Sequence, residues 1–514
     1  MKQLFRKLKP QQAIYDLPPS ELDEQAWSDA DNIYFRGQGS IRVEGYSDIA
    51  NPTLLNEPFW NGYIRTLDKI NMWIYAGENK IAATDFLNHY DITPLGLTGA
   101  EPQDYVGGQL NSLMMLTNNR DAPVYWDGVI NNPMQPLPDW PANTTCGFIR
   151  GYRYNAIAGN ITANGVNYEN QFYWSSSVAP GSPPTSWTPL PSNDAGDNIL
   201  ASTQGPLIDG AHLRDYFVLA KNHSLYVMRY VGGNFVFNVA ELTNHVGALS
   251  ANCMVEYNSE LYIFGDGDII KTDGSTIVSI SEQRVTNQIF NEINQTWKNR
   301  AFAVVYSAKK QIWFCYPAGG SIIANRAAIY SVEDDKWGYR DIPNLYHAAP
   351  GVASNLQVPE TWEGDTQAWE LDTQIWNESG VREIADSVLM GSGDDTGHLY
   401  GVDFSKTANG ELIESVLTKE SMDLGEYALI KLVTGIVLNV NGTSGDTLQV
   451  RVGTQLRDVD DISWGQPVTF TIGVDELVNI TLKGRLISVE IRALTGEQWR
   501  CYGMQIKYQL EGLY

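Results

Sequence analysis

A short motif returns along the middle of this chain: a polar or turn residue, an apolar residue, an aromatic, then usually another apolar residue. It reads NMWI at 71–74, PVYW at 123–126, QFYW at 171–174, SLYV at 224–227, ELYI at 260–263, QIWF at 311–314 and HLYG at 398–401. The aromatics Trp73, Tyr125, Tyr173, Tyr226, Tyr262, Trp313 and Tyr400 stand 52, 48, 53, 36, 51 and 87 residues apart. A repeat near 50 residues is the period of a propeller blade, and four short strands fill such a span. The flanks agree: YFVLAKNHSLYVMRY at 216–230 and MVEYNSELYIFGDG at 254–267 each read as strand, polar turn, strand. Any antiparallel β protein yields aromatic-bearing strands. The spacing is what makes a β-propeller over 61–405 the better reading, with the seven aromatics on equivalent strands of different blades.

Composition fits a chain of strands and turns. Of 514 residues, 43% are apolar and only 18% charged, with 27 Tyr, 15 Trp and 46 Gly. Aromatics suit strands and glycines suit turns. The length exceeds what one core usually supports unless the fold is radial or repetitive. No apolar run approaches the ~20 residues of a membrane-spanning helix.

Two insertions interrupt the pattern. SEQRVTNQIFNEINQTW at 281–297 places Val285, Ile289, Ile293 and Trp297 on one helical face, with Ser281 as a cap. It is expected to elaborate the propeller toward a neighbour. TWEGDTQAWELDTQIW, within 355–384, sets Trp362, Trp369 and Trp376 seven apart. Gly364 and the Asp/Thr content favour a turn-rich loop, its tryptophans packed on the propeller, over a heptad helix.

The two ends differ from the middle. From Glu411 to the end, strict alternation in KLVTGIVLNVNG, GDTLQVRVGTQL and RLISVEIRAL predicts a separate C-terminal β-sandwich over 411–514, with Leu448, Val450 and Val452 pointing inward. Thr407 to Gly410 is its expected hinge. Residues 1–60 are expected to form an N-terminal arm and hairpin. MKQLFRKLK reads as a solvated basic arm, or as an arm reaching an acidic neighbour in an assembly. In AWSDADNIYFRGQGSIRVEGY (26–46), Ile33 and Phe35, then Ile41 and Val43, alternate about a turn flanked by Gly37 and Gly39.

The formal net charge is −25. A protein that grips phosphates needs basic patches, so sequence-specific nucleic-acid binding is disfavoured, while a surface past which DNA slides is not. The cysteines Cys146, Cys253, Cys315 and Cys501 are far apart and lack a CxxC pair, so neither a disulfide framework nor a zinc site is expected. The histidines His89, His212, His223, His245, His347 and His398 lie in unrelated contexts. GDGDIIKTDG at 265–274 starts like a calcium loop but puts Ile270 where an oxygen ligand belongs, and reads as a hairpin turn. YSVEDDKWGY at 330–339 is similar to the acidic box of sialidase propellers but lacks the glycine between acid and tryptophan. These boxes are structural turns. No catalytic, cofactor-binding or metal-ligating residue is assigned.

Three features in order resemble the tail tube or nozzle proteins of short-tailed bacteriophages. They are the opening AWSDADNIYFRGQGSIRVEGY, then FYWSSSVAPGSPPTSW with KKQIWFCYP and AAIYSVEDDKWGYRDIP, and finally DLGEYALIKLVTGIVLNVNG through GRLISVEIRALTGEQWRCYGMQIKY. The resemblance implies a mainly β chain: a β-propeller with insertions plus a C-terminal β-sandwich. It implies a structural virion protein whose homo-oligomer, a hexameric ring, continues the DNA ejection channel below the portal and adaptor. The implied partners are the tail adaptor ring, a tail fibre or tailspike, a tail needle or plug, and genomic DNA passing without sequence-specific binding. Contact of the tip with the host envelope is left open. The implied location is the virion tail, after assembly in the host bacterial cytoplasm. No catalytic residue comes with the resemblance. The alternatives are a carbohydrate-active propeller enzyme or lectin, which needs converging carboxylates and aromatics at the propeller centre, and a receptor-binding tail protein.

Overall fold

The computed structural model describes residues 3–50, 53–233, 235–352, 387–393, 397–493 and 496–513. The Trp-rich stretch at 355–384, with Trp362, Trp369 and Trp376, lies outside the described residues.

The described residues form a seven-bladed β-propeller joined to a β-sandwich. Blades 1 to 5 are four-stranded antiparallel sheets over 60–91, 106–136, 144–199, 207–243 and 254–279. Blade 6 consists of Phe302–Tyr306, Gln311–Tyr316, Ala324–Ser331 and the start of the long strand Lys336–Gly351. That strand crosses into blade 7, where 345–351 pairs with Ser387–Ser392, followed by Leu399–Val402. The outermost strand of blade 7 is Tyr46–Asp48, so the N-terminal region closes the propeller. The first strands of the blades pack side by side in a ring, which ends where Lys336–Gly351 meets Trp60–Arg65.

Each blade lies between two others, so its middle strands must be apolar on both faces. Gln311–Tyr316 is buried along its whole length, and Asn71–Ala76 from Met72 onward. The seven recurring aromatics fall on seven different blades, but not on equivalent strands. Trp73, Tyr262 and Trp313 lie on second strands; Tyr125, Tyr173, Tyr226 and Tyr400 lie on third strands. Second strands are buried more completely than third strands, as Gln311–Tyr316 against Val166–Trp174 shows, yet both carry an aromatic between apolar neighbours and so produce the same motif.

The helix is shorter than its periodicity suggests. It covers Thr286–Glu292, and its buried residue Ile289 packs with Val285 and Ile293 in the core between blades 5 and 6 rather than facing outward. Asn294 N–H donates to the Pro317 carbonyl, and Ile293 bridges Ala318, which draws the chain out of the helix before Trp297. Ser281 is not the cap. Asp16, from the N-terminal arm, accepts the backbone N–H groups of Thr286 and Asn287 at 2.8 and 2.9 Å.

The sandwich is built from both ends of the chain, which corrects the expected division into 1–60 and 411–514. One sheet holds Thr447–Gln455, Leu486–Ala493 and Ser415–Met422, with Asp29–Asp31 as its edge. The other holds Leu429–Gly442 and Trp499–Leu513, and the basic arm Leu4–Leu8 pairs with the latter. Leu448, Val450 and Val452 are buried between the sheets, together with Trp27, Ile33 and Phe35. The arm is therefore an ordered strand. Thr407 to Gly410 is no hinge either. The buried Arg42 guanidinium donates to the carbonyls of Lys406, Ile413 and Gly496, and Asn409 N–H bonds to Tyr46.

Lys419 makes the dependence testable. Its ammonium, inside the sandwich edge, donates to the carbonyls of Leu22, Asp23 and Ala26, and burial pushes its pKa down to about 8. Lys419→Met removes the donor these carbonyls share and is expected to cost about 2–4 kcal/mol in urea unfolding. Residues 411–514 expressed alone should stay unfolded by circular dichroism, and limited proteolysis near Asn409 should release no stable fragment.

Candidate functional site: the propeller axis and the joint to the sandwich

The centre of a propeller is where its blades can converge on a ligand. Here side chains fill it. Arg150, on the first strand of blade 3, bonds the Gly107 carbonyl of blade 2, Asp209 of blade 4 at 2.7 Å, and Asn252 Oδ1, at the entry to blade 5, at 2.8 Å. Asn252 returns its backbone N–H to Asp209 at 2.9 Å. From blade 7, His347 bonds Asn61 Oδ1 at 2.9 Å and stacks on Trp60. Burial, and secondarily the charge of Arg150, hold the pKa of His347 down at about 3, so the imidazole is neutral at physiological pH. At the mouth, Arg300 lies 4.3 Å over the Trp297 ring and bonds Gln103 and the Ile322 carbonyl. The remaining recess, between Phe59, Gln103, Asn252, Arg300 and Tyr346, measures about 20 Å³, space for one water.

The second concentration of charge is the joint between blade 6 and the sandwich. Arg326, on Ala324–Ser331, pairs with Asp31 of the sandwich edge and with Glu292 at 2.9 Å. Its guanidinium lies 5.0 Å over Tyr339, against which Tyr15 packs edge-on. Asn32 bonds both Asp341 and the Glu414 carbonyl at 2.8 Å. Asp31, Asn32, Asp341 and Glu414 line a cavity of about 320 Å³. Burial, then the charge of Asp31, raises the pKa of Asp29 to about 7; burial also raises Asp31, opposed by Arg326. Glu414 is paired by Arg492 at 2.6 Å, and the remaining carboxylates of the joint outnumber Arg326.

The histidines are scattered. His347 reaches the axis, His89 bonds Tyr75 in blade 1, and His398 bonds Asp48 where the propeller closes. No group of three His, Cys, Asp or Glu among the described residues could hold a metal. All four cysteines are buried free thiols, and burial pushes them up, Cys146 to about 12. The 265–274 stretch forms turns on either side of strand Ile269–Thr272, with Asp268 accepting from Ser279 and Ser281. The acidic turn at 333–335 is structural: Glu333 pairs with Lys310, Asp334 accepts the Gly37 N–H, and Asp335 pairs with Arg284. Sequence reasoning missed Arg150, Asp209 and Arg326. The available signal was a charged residue at an inward strand position, as Arg150 is in TTCGFIRGY.

No family model and no curated protein matches the chain. Solved structures similar to it include the β-propeller domain of Cps50 (Swd1) from Myceliophteria thermophila, 7% identical, TM-score 0.40, covering 70% of this chain and 99% of that one. The WD40 β-propeller domain of Doa1 is 9% identical, TM-score 0.34, with 70% and 97% covered.

Two outcomes test these clusters. Arg150→Met strands Asp209 as a buried unpaired charge and is expected to cost about 3–5 kcal/mol; adding Asp209→Asn should recover more than half, read from urea midpoints. Asp29 has a folded-state pKa above its unfolded one. Its contribution is therefore fully present below the ordinary carboxylate range and lost as pH rises through about 7. Asp29→Asn should be more stable than the parent at pH 8, with the difference shrinking toward pH 5.

Proposed function

We propose that the chain is a structural virion protein of a short-tailed bacteriophage: a tail nozzle subunit, six copies of which form a ring. The ring continues the DNA ejection channel below the portal and adaptor and anchors plug and fibres. The observation that carries this reading is the single sheet running from blade 6 through the N-terminal hairpin into the sandwich. Domains in one chain usually move relative to one another unless their interface is large. A shared sheet removes that freedom, which suits a subunit that must hold a conduit's shape while DNA passes. The order of the motifs, from opening hairpin to closing strands, supports the same assignment.

The propeller axis favours a structural role over the carbohydrate-active alternative. Glycoside cleavage uses two carboxyl groups flanking the scissile bond with room for the sugar. The axial cluster built on Arg150 holds one carboxylate, Asp209, already ion-paired, and the recess beside it fits a water.

The expected result from micrographs of particles carrying a labelled copy is a six-fold ring at the tail. A monomer in the virion, or a trimer at fibre tips, overturns the reading. The net charge of −25 further leads us to expect a lumen with few unpaired Lys and Arg, since cationic walls would retain phosphates by counterion release. Lysine substitutions of lumen acids should slow DNA ejection, measured by dye release from particles.

A further inference from the structure

Most arginines of this acidic chain are spent on carboxylates or carbonyls: Arg120, Arg150, Arg284, Arg326, Arg451 and Arg492 all have acidic partners. Blades 3 and 4 break the pattern. Arg153 sits at the turn after the first strand of blade 3, Arg214 at the matching turn of blade 4, and Arg229 late in the third strand of blade 4. None makes an ion pair among the described residues. Arg153 lies 5.0 Å over the Tyr230 ring and Arg229 lies 4.6 Å over Tyr216, so both guanidiniums are held in place by aromatic faces while their edges stay open. The rings beside them are exposed: Tyr154 at 56%, Tyr230 at 47% and Phe235 at 81%. The carboxylate in this turn is Asp215, leaving the cluster cationic. Nearby Asp273 is held ionised in its own turn by the N–H and hydroxyl groups of Ser275 and Thr276, and with Asp215 it still leaves the three arginines in excess.

Arginine and tyrosine at an exposed, preorganised patch are the composition of a protein interface centre. Its complement is on the same chain. The sandwich loop at 456–462 exposes Val459 at 86% and Leu456 at 46%, flanked by Asp458 and Asp461, which make no ion pair among the described residues; Arg457 is neutralised within the loop by Asp460. The sandwich joins the propeller at blade 6, and blade 3 lies on the far side of the ring of blades. The two surfaces belong to different bodies of one copy, so a head-to-tail contact between them is heterologous, and such a contact closes a ring where its rotation closes.

We infer that the Arg153–Arg229 patch of one copy receives the acidic, apolar-tipped 456–462 loop of the next copy. The inference rests on the ring reading and names its contact. The test is light scattering and sedimentation of the full chain over a concentration series. Arg153→Glu with Arg229→Glu should weaken self-association at least ~10-fold, as should Asp458→Lys with Asp461→Lys, each without loss of thermal stability. The four changes combined should return it to within ~3-fold of the parent. A parent monomeric at every concentration overturns the ring reading and this contact together. A ring indifferent to either pair overturns the contact alone, as does failure of the combined variant to restore association. A labelled single-stranded oligonucleotide that binds the parent and is lost on Arg153→Glu would assign the patch to nucleic acid instead and overturn the proposal.

Discussion

The structure depends on one hairpin, Ile33–Arg36 with Gly39–Arg42, wedged between two hydrophobic cores. Ile33 and Phe35 point into the sandwich core, while Tyr34 and Val43 point into the core of blades 6 and 7. Alternation in a strand normally separates core from solvent; here it separates one core from another. The backbone is gripped from both edges. Tyr339 of blade 6 pairs with Ile33, and Cys501 of the sandwich pairs with Ser40. Both approaches need glycine. A Cβ on Gly338 would stand 2.3 Å from the Ile33 carbonyl oxygen, and one on Gly39 would stand 2.9 Å from that of Cys501. The hairpin turn is fastened in turn by the acidic segment of blade 6, where Asp334 takes the Gly37 N–H and Lys336 donates to the Gly37 carbonyl.

The first fifty residues thus do work that their position in the chain conceals. Leu4–Leu8 completes one sheet of the sandwich and Asp29–Asp31 edges the other. Asp16 caps the helix before blade 6, and Tyr46–Asp48 closes blade 7. Every one of these contacts spans hundreds of residues. Propeller and sandwich consequently share their stabilising contacts, and loss of the N-terminal segment opens both at once. The price is a joint rich in carboxylates. Asp29 and Asp31 alternate along one strand beside Asp341, and Arg326 bridges the two bodies there by pairing with Asp31 and Glu292. Arg492 takes up part of that charge by pairing with Glu414 at 2.6 Å.

The sequence carried the propeller openly, because burial on both faces writes continuous apolar and aromatic runs at blade spacing. It did not distinguish second from third strands, as Trp313 and Tyr226 show, since both aromatics are buried between apolar neighbours although the third strand emerges at Arg229 and Tyr230. The sandwich was legible in Leu448, Val450 and Val452, whose alternation reports a single buried face. Its N-terminal strands were not: LFRKL has too little alternation, and Asp29–Asp31 too much charge, to read as strands without the partners that pair with them. The helix was overextended because Ile293 and Trp297 keep the period after tertiary hydrogen bonds have ended the helix. The axial cluster was invisible for a related reason. Arg150, Asp209 and Asn252 come from three blades and are linked only by ring closure, which no local pattern encodes.

Ring closure also decides where a duplex could pass. A propeller has a natural hole, and a chain that continues a DNA channel invites the thought that the hole is the channel. Here Arg150 bridges three blades across the axis, and His347 and Trp60 stack beside it. Opening that hole would unpair a buried arginine and aspartate and separate the first strands that hold the blades together. Breaking the pair alone costs about 3–5 kcal/mol, and the loss of the strand contacts adds to it. In the proposed assembly the channel therefore lies between copies, walled by outer surfaces of propeller or sandwich. In that proposed assembly the axial ion pair would act indirectly, by tying blades 2 to 5 together around Arg150 so that each subunit behaves as one block.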